Sequence, residues 1–147
     1  MSSAIEQIKK FIPKEFKELA KESWRRRQFR RAFARYAEIP SQQVPSPAIM
    51  KDLISSWGNE GYSAMAEYLL ALRYHASRTT GPILECGSGL STLVLGLEGS
   101  RRGIKVWSLE HHPDWRLRMR REIADLGLDM NELCAAPLKD YGRRALN

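Results

Sequence analysis

The chain has 147 residues, 43% of them hydrophobic and 28% charged, which is ordinary for one modest domain with its own core. No apolar run approaches the ~18–20 residues that span a bilayer. The N-terminus sets Glu6 and Glu15 among Lys9, Lys10 and Lys14, with no apolar stretch behind them, so it has neither signal-peptide nor transit-peptide character and a cytoplasmic location is expected. The net charge of +7 is uneven: residues 1–50 hold 11 Lys/Arg against 5 Asp/Glu, and residues 51–147 hold 13 against 12.

Residues 4–36 read as helix, broken or kinked at Pro13. Ile5, Ile8, Phe11 and Ile12 recur at helical spacing before it, and Phe16, Leu19, Ala20, Trp24, Phe29, Phe33 and Tyr36 after it. Residues 1–38 are thus a basic helical extension, 39–47 a proline-rich linker, and 48–147 the main domain. A short helix is expected near Ala48–Trp57, ended by Gly58-Asn59-Glu60-Gly61. Residues 62–77 follow as an amphipathic helix with Met65, Tyr68, Leu69, Leu72 and Ala76 inward. The pattern then changes to strand Ile83–Cys86, turn Gly87–Gly89 and helix Ser91–Glu98, followed by a basic loop Gly99–Gly103. Strand Lys105–Glu110, helix Trp115–Leu126 with Leu117, Ile123 and Leu126 inward, and a weaker strand Glu132–Ala136 complete the order. Alternating strands and helices predict an α/β fold with parallel strands in the order 3-2-1, joined by right-handed crossovers. Cys86 and Cys134 would then lie on the two outer strands, roughly 9–10 Å apart, beyond disulfide reach. They read as buried reduced thiols.

The strand–turn–helix at Ile83–Thr92 carries chemistry. In Gly-x-Gly the first glycine permits a tight turn and the second lets a ligand approach the backbone. The following helix offers unpaired N–H groups and its positive dipole end, with Ser91 or Thr92 as its cap. Three details choose the ligand. A dinucleotide fingerprint would need glycine at position 92, where Thr92 stands. Glu85, two residues before Gly87, disfavours a pyrophosphate and suits an ammonium group. Glu110, 23 residues after Gly87, closes the second strand where a carboxylate can accept two ribose hydroxyls.

Glu85-Cys86-Gly87-Ser88-Gly89-Leu90-Ser91-Thr92, followed by Val106-Trp107-Ser108-Leu109-Glu110, resembles motifs I and II of the class I S-adenosylmethionine-dependent methyltransferases. The likeness covers roughly residues 60–142. It implies a Rossmann-like fold with helices on both faces of a mostly parallel, seven-stranded sheet, and methyl transfer to an O or N nucleophile. It also implies that Gly87 and Gly89 pass under the cofactor, that Ser88, Ser91 and Thr92 bind it beside them, and that Glu85 lies near its amino-acid end. Glu110 would hold its ribose, His111 would lie beside the adenine, and Pro137 and Leu138 would border the adenine from the third strand. Tyr62 stands ready to cover the methionine end, or to serve as a core aromatic. His111 and His112 invite a general-base reading, although adjacent loop histidines are more often solvated or packing residues. The sequence designates no catalytic base, no metal site and no methyl acceptor.

The sequence ends after the third strand, where the family's fold has four more. A truncated methyltransferase is the favoured expectation. The others are a partner chain or second copy that completes the sheet edge, or N-terminal helices that cover it. Trp24-Arg25-Arg26-Arg27-Gln28-Phe29-Arg30-Arg31-Ala32-Phe33 interleaves arginine with aromatics. The favoured reading is an aromatic stripe packed on the domain with solvated arginines; nucleic acid or an anionic membrane is the other. Two rival functions stand beside the methyltransferase: a vestigial cofactor fold serving as a binding module for a polyanion or protein, and, less favoured, a nicotinamide-dependent oxidoreductase.

Overall fold

The computed structural model describes residues 13–58 and 64–139. In chain order these form α1 (Lys14–Ala37), α2 (Pro47–Trp57), α3 (Ala66–Ala76), β1 (Ile83–Cys86), α4 (Leu90–Arg102), β2 (Val106–Glu110), α5 (Pro113–Asp125) and β3 (Asn131–Ala135). The expected helical stretch before Pro13 lies outside the described residues. Local chemistry sets the boundaries. Pro13 directly precedes α1. Ser46 caps α2 by accepting the Ile49 N–H at 3.4 Å, with Pro47 at the first helical position, where its missing N–H costs nothing. The expected basic loop at Gly99–Gly103 is instead the last turn of α4. Gly99 lets the helix press against the Ile104 carbonyl and Val106, and only Gly103, left-handed at φ 66°, ends it. No described helix is long and apolar enough to cross a membrane.

The three strands are parallel and ordered β1-β2-β3, which is the expected 3-2-1 seen from the other edge. Cys86 and Cys134 each sit opposite Leu109, so β2 separates them, and both are free. They are not the buried thiols expected: Cys86 is exposed and Cys134 half-buried. The burial pattern of the sheet explains this. Ile83, Glu85, Val106, Ser108, Glu110 and Leu133 point to one face, toward α4 and α5. Leu84, Cys86, Trp107, Leu109 and Cys134 point to the other, where Leu84 is 65% exposed. Two crossovers of the same hand taken in the same direction deposit both helices on one side. Among the described residues, then, helices cover one face of the sheet and not both.

A single apolar cluster joins the N-terminal helices to the sheet. Phe29, Phe33 and Tyr36 of α1 and Met50, Leu53 and Trp57 of α2 share it with Leu69, Leu93, Met119 and Leu133. The inward faces differ in detail from the sequence expectation. Met65 and Tyr68 are exposed, because α3 turns Leu69, Arg73 and Ala76 inward. Leu117 is exposed, because α5 buries Met119, Glu122 and Ile123. Arg73 is buried for a reason. Its guanidinium donates to the Ile39 and Pro40 carbonyls at 2.6 and 2.7 Å and lies 3.6 Å from the buried Glu98 carboxylate. Arg101 pairs with the same carboxylate at 2.8 Å and donates to the carbonyls of Ala37 and Ile39. Two arginines thus hold the carbonyls at and just beyond the end of α1, and the single Glu98 carboxylate lies beside both.

Candidate functional site

The site forms where β1 and β2 end side by side. Gly87 is the first residue past β1. Its N–H donates to the Leu109 carbonyl at 2.8 Å, and its φ of +95° is a conformation that side chains rarely adopt. Gly89 differs. Its backbone is extended, which any residue tolerates, and a Cβ built there would meet nothing within 4 Å. Neither conformation nor packing demands a glycine at 89, and its missing Cβ leaves the backbone open to approach.

Gly89, rather than Ser91 or Thr92, is the N-cap of α4, because the helix begins one residue earlier than the sequence suggests. The two hydroxyls turn to Glu85 instead. Ser91 Oγ donates to Glu85 at 2.5 Å and Thr92 Oγ1 at 2.7 Å, while Thr92 Oγ1 also accepts the Gly89 N–H at 2.9 Å. Ser108, on the neighbouring strand, adds a third donor at 2.8 Å. Three neutral donors fix the Glu85 carboxylate without cancelling its charge, and no cation pairs with it among the described residues.

Glu110 is buried at the end of β2. It accepts the Ser88 hydroxyl at 2.5 Å and the His112 N–H at 2.8 Å, and His111 Nδ1 stands 3.4 Å away. Burial pushes its carboxyl up. The Ser88 hydroxyl, the His112 N–H and the nearby His111 outweigh that and hold it below the ordinary glutamate range. Glu110 is therefore an oriented anion at neutral pH. The ring of His112 is committed to structure: its Nδ1 accepts the Trp115 N–H at 3.3 Å and so caps α5. Trp115 in turn donates from Nε1 to the Ser88 carbonyl at 2.9 Å and ties α5 to the glycine turn.

The turn separates two hollows. One, of about 670 Å³, lies between Gly87–Gly89, Glu110, His111 and the Trp57–Trp115 pair, with Arg118 at its rim. The other, of about 330 Å³, lies between the same three turn residues, Glu85, Ser91 and Tyr68. One can take a polar group with neighbouring hydroxyls at Glu110 against an aromatic wall. The other can take a cationic group near Glu85.

The structure brings Glu85, Gly87, Ser88, Gly89, Ser91, Glu110 and His111 together around these hollows and places Thr92 directly beneath them. It does not bring in Pro137 and Leu138. They follow β3, one strand farther from the turn than β2, line neither hollow and are exposed, Leu138 by 80%. Tyr62 lies outside the described residues. Trp57, Trp115, Arg118, Tyr68 and Ser108 were not apparent from the sequence. Only Ser108 carried a usable signal, since strand alternation puts it on the same face as Glu110. Comparison with known protein families, with curated proteins and with solved structures gives no match to this chain.

Proposed function

We propose that the chain has a Rossmann-like, class I methyltransferase fold and binds S-adenosylmethionine across the glycine turn, for methyl transfer to an O or N nucleophile of an acceptor. The observation that carries this reading is Gly89, a glycine that the fold itself does not require and whose missing Cβ leaves room against the backbone. The flanking carboxylates support it. Glu110 would accept ribose hydroxyls, with Trp57, Trp115 and His111 forming the wall on that side. Glu85 would draw the ammonium group of the amino-acid end, with Tyr68 alongside. The cofactor, when bound, supplies the electrophilic methyl carbon. The residues of this chain bind and orient it and exclude water from one side.

The test is calorimetric titration and thermal shift with S-adenosylhomocysteine. Binding should raise the midpoint. Glu110→Ala should weaken binding by at least about tenfold, the order of one lost charge-assisted hydrogen-bond pair. NAD should produce no shift. Absence of any stabilisation by millimolar S-adenosylhomocysteine would sink the reading and favour a binding module without cofactor.

A further inference from the structure

Helix α1 has two unlike halves, and the outer one has no task in the fold. From Phe29 onward, Phe29, Ala32, Phe33 and Tyr36 face the core. From Pro13 to Trp24 every residue is exposed, so the first three turns project past the body. Charge is sorted around this projection. Glu15, Glu18 and Glu22 lie on the stripe that continues into Phe29, Phe33 and Tyr36, at helical spacings of three, four and seven. The opposite stripe runs Phe16, Ala20, Trp24, Arg27, Arg31, with Lys17 beside it, and contains no carboxylate. Phe16 and Trp24 are 65% and 59% exposed. Arg26, Arg30 and Arg35 are tied to Glu122, Asp125 and Asp52, whereas Lys17, Arg27 and Arg31 carry no ion pair among the described residues.

We propose that this outward face of α1 docks the protein on an anionic lipid surface. Its outer end offers Phe16 and Trp24 to the boundary between headgroups and acyl chains, and Arg27 and Arg31, one to two turns back from Trp24, meet the headgroup phosphates. Charge complementarity selects the partner: one stripe holds only positive charge, and the helix's acids are turned toward the body. The aliphatic content selects lipid over nucleic acid. The sequence directly upstream reads Ile5, Ile8 and Ile12 beside Phe11, Lys9 and Lys10, and isoleucine has no flat face on which a base could stack.

The experiment is co-sedimentation of the full chain with phosphatidylcholine vesicles, with and without phosphatidylglycerol, beside a fluorescently labelled single-stranded RNA. Binding is expected only to the phosphatidylglycerol vesicles, falling as salt rises. Arg27→Glu with Arg31→Glu should reduce it by about tenfold or more, since each basic residue near such a surface contributes about a factor of five. Phe16→Ser with Trp24→Ser should reduce it while leaving the salt dependence in place. Both pairs are exposed, so helical content and the melting midpoint should match the parent, which separates lost docking from lost folding. Equal binding to neutral vesicles, an unaltered affinity in the folded double charge reversal, or RNA binding in place of vesicle binding would each overturn the proposal.

Discussion

Helix α4 and the turn before it contain two pairs of glycines that look alike in sequence and differ in space. Gly96 and Gly99 face inward. A Cβ on Gly96 would run into the Asn131 side chain, and one on Gly99 would lie 2.7 Å from the Ile104 carbonyl and 2.8 Å from Val106. Gly87 and Gly89 face nothing within 4 Å. The inner pair is small so that helix and sheet can touch. The outer pair is small where the protein has no atoms of its own. Packing explains the first two, backbone conformation explains Gly87, and neither accounts for Gly89, which the proposed ligand would.

This contrast can be broken by substitution. Gly99→Ala should have the largest effect on stability, about 1–3 kcal/mol in denaturant unfolding, because a backbone carbonyl cannot yield as a side chain can. Gly96→Ala should cost less, since Asn131 can move, although it would then lose its 2.9 Å bond to the Thr92 carbonyl. Gly87→Ala should cost about 1 kcal/mol through its positive φ, with no steric component. Gly89→Ala should fall within about 0.5 kcal/mol of the parent, yet weaken S-adenosylhomocysteine by at least tenfold. A Gly89→Ala protein that binds as well as the parent would erase the distinction.

Acid and thiol chemistry sharpen it further. Folding depresses the Glu110 carboxyl, so its contribution to stability is present above the ~4.3 of an unfolded glutamate and disappears as pH falls through the lower native value. Glu110→Gln should flatten that acid limb in a pH series of melting curves. The smallest effect concerns the uncovered sheet face: Cys86 should react with a disulfide reagent in the native protein, and Cys134 more slowly, without loss of helical signal.

Local pattern made the strand and helix order, the parallel sheet and the placing of Glu85 and Glu110 on either side of the glycine turn legible. Alternation in Ile83–Cys86 and Val106–Glu110, the two spaced glycines and the acids at strand ends are short-range signals. What escaped depends on partners far along the chain. Nothing near Arg118 says that it will lie over Trp57 and Trp115, at 5.4 and 4.9 Å from their ring centres. Nothing near Leu117 says that α5 will bury Glu122 in its place. Gly99 read as a loop residue because glycine in a basic stretch resembles punctuation; its purpose appears only when Val106 is set against it. The aromatic stripe of α1 was half legible: packing claimed Phe29, Phe33 and Tyr36 but left Trp24 outside.

The arginine clasp at the end of α1 has a consequence for the order in which the protein is made. Arg101 binds the Ala37 and Ile39 carbonyls across 64 and 62 residues of sequence, and Arg73 binds those of Ile39 and Pro40 across 34 and 33. During synthesis α1 leaves the ribosome first, with its C-terminal carbonyls wet and Phe29, Phe33 and Tyr36 uncovered. Met50, Leu53 and Trp57 of α2 can cover the aromatics soon after, but the Ile39 and Pro40 carbonyls wait for Arg73 and the Ala37 carbonyl waits for Arg101. The aromatic face of α1 can therefore be covered early, while the clasp on its end is completed only once α4 has been made.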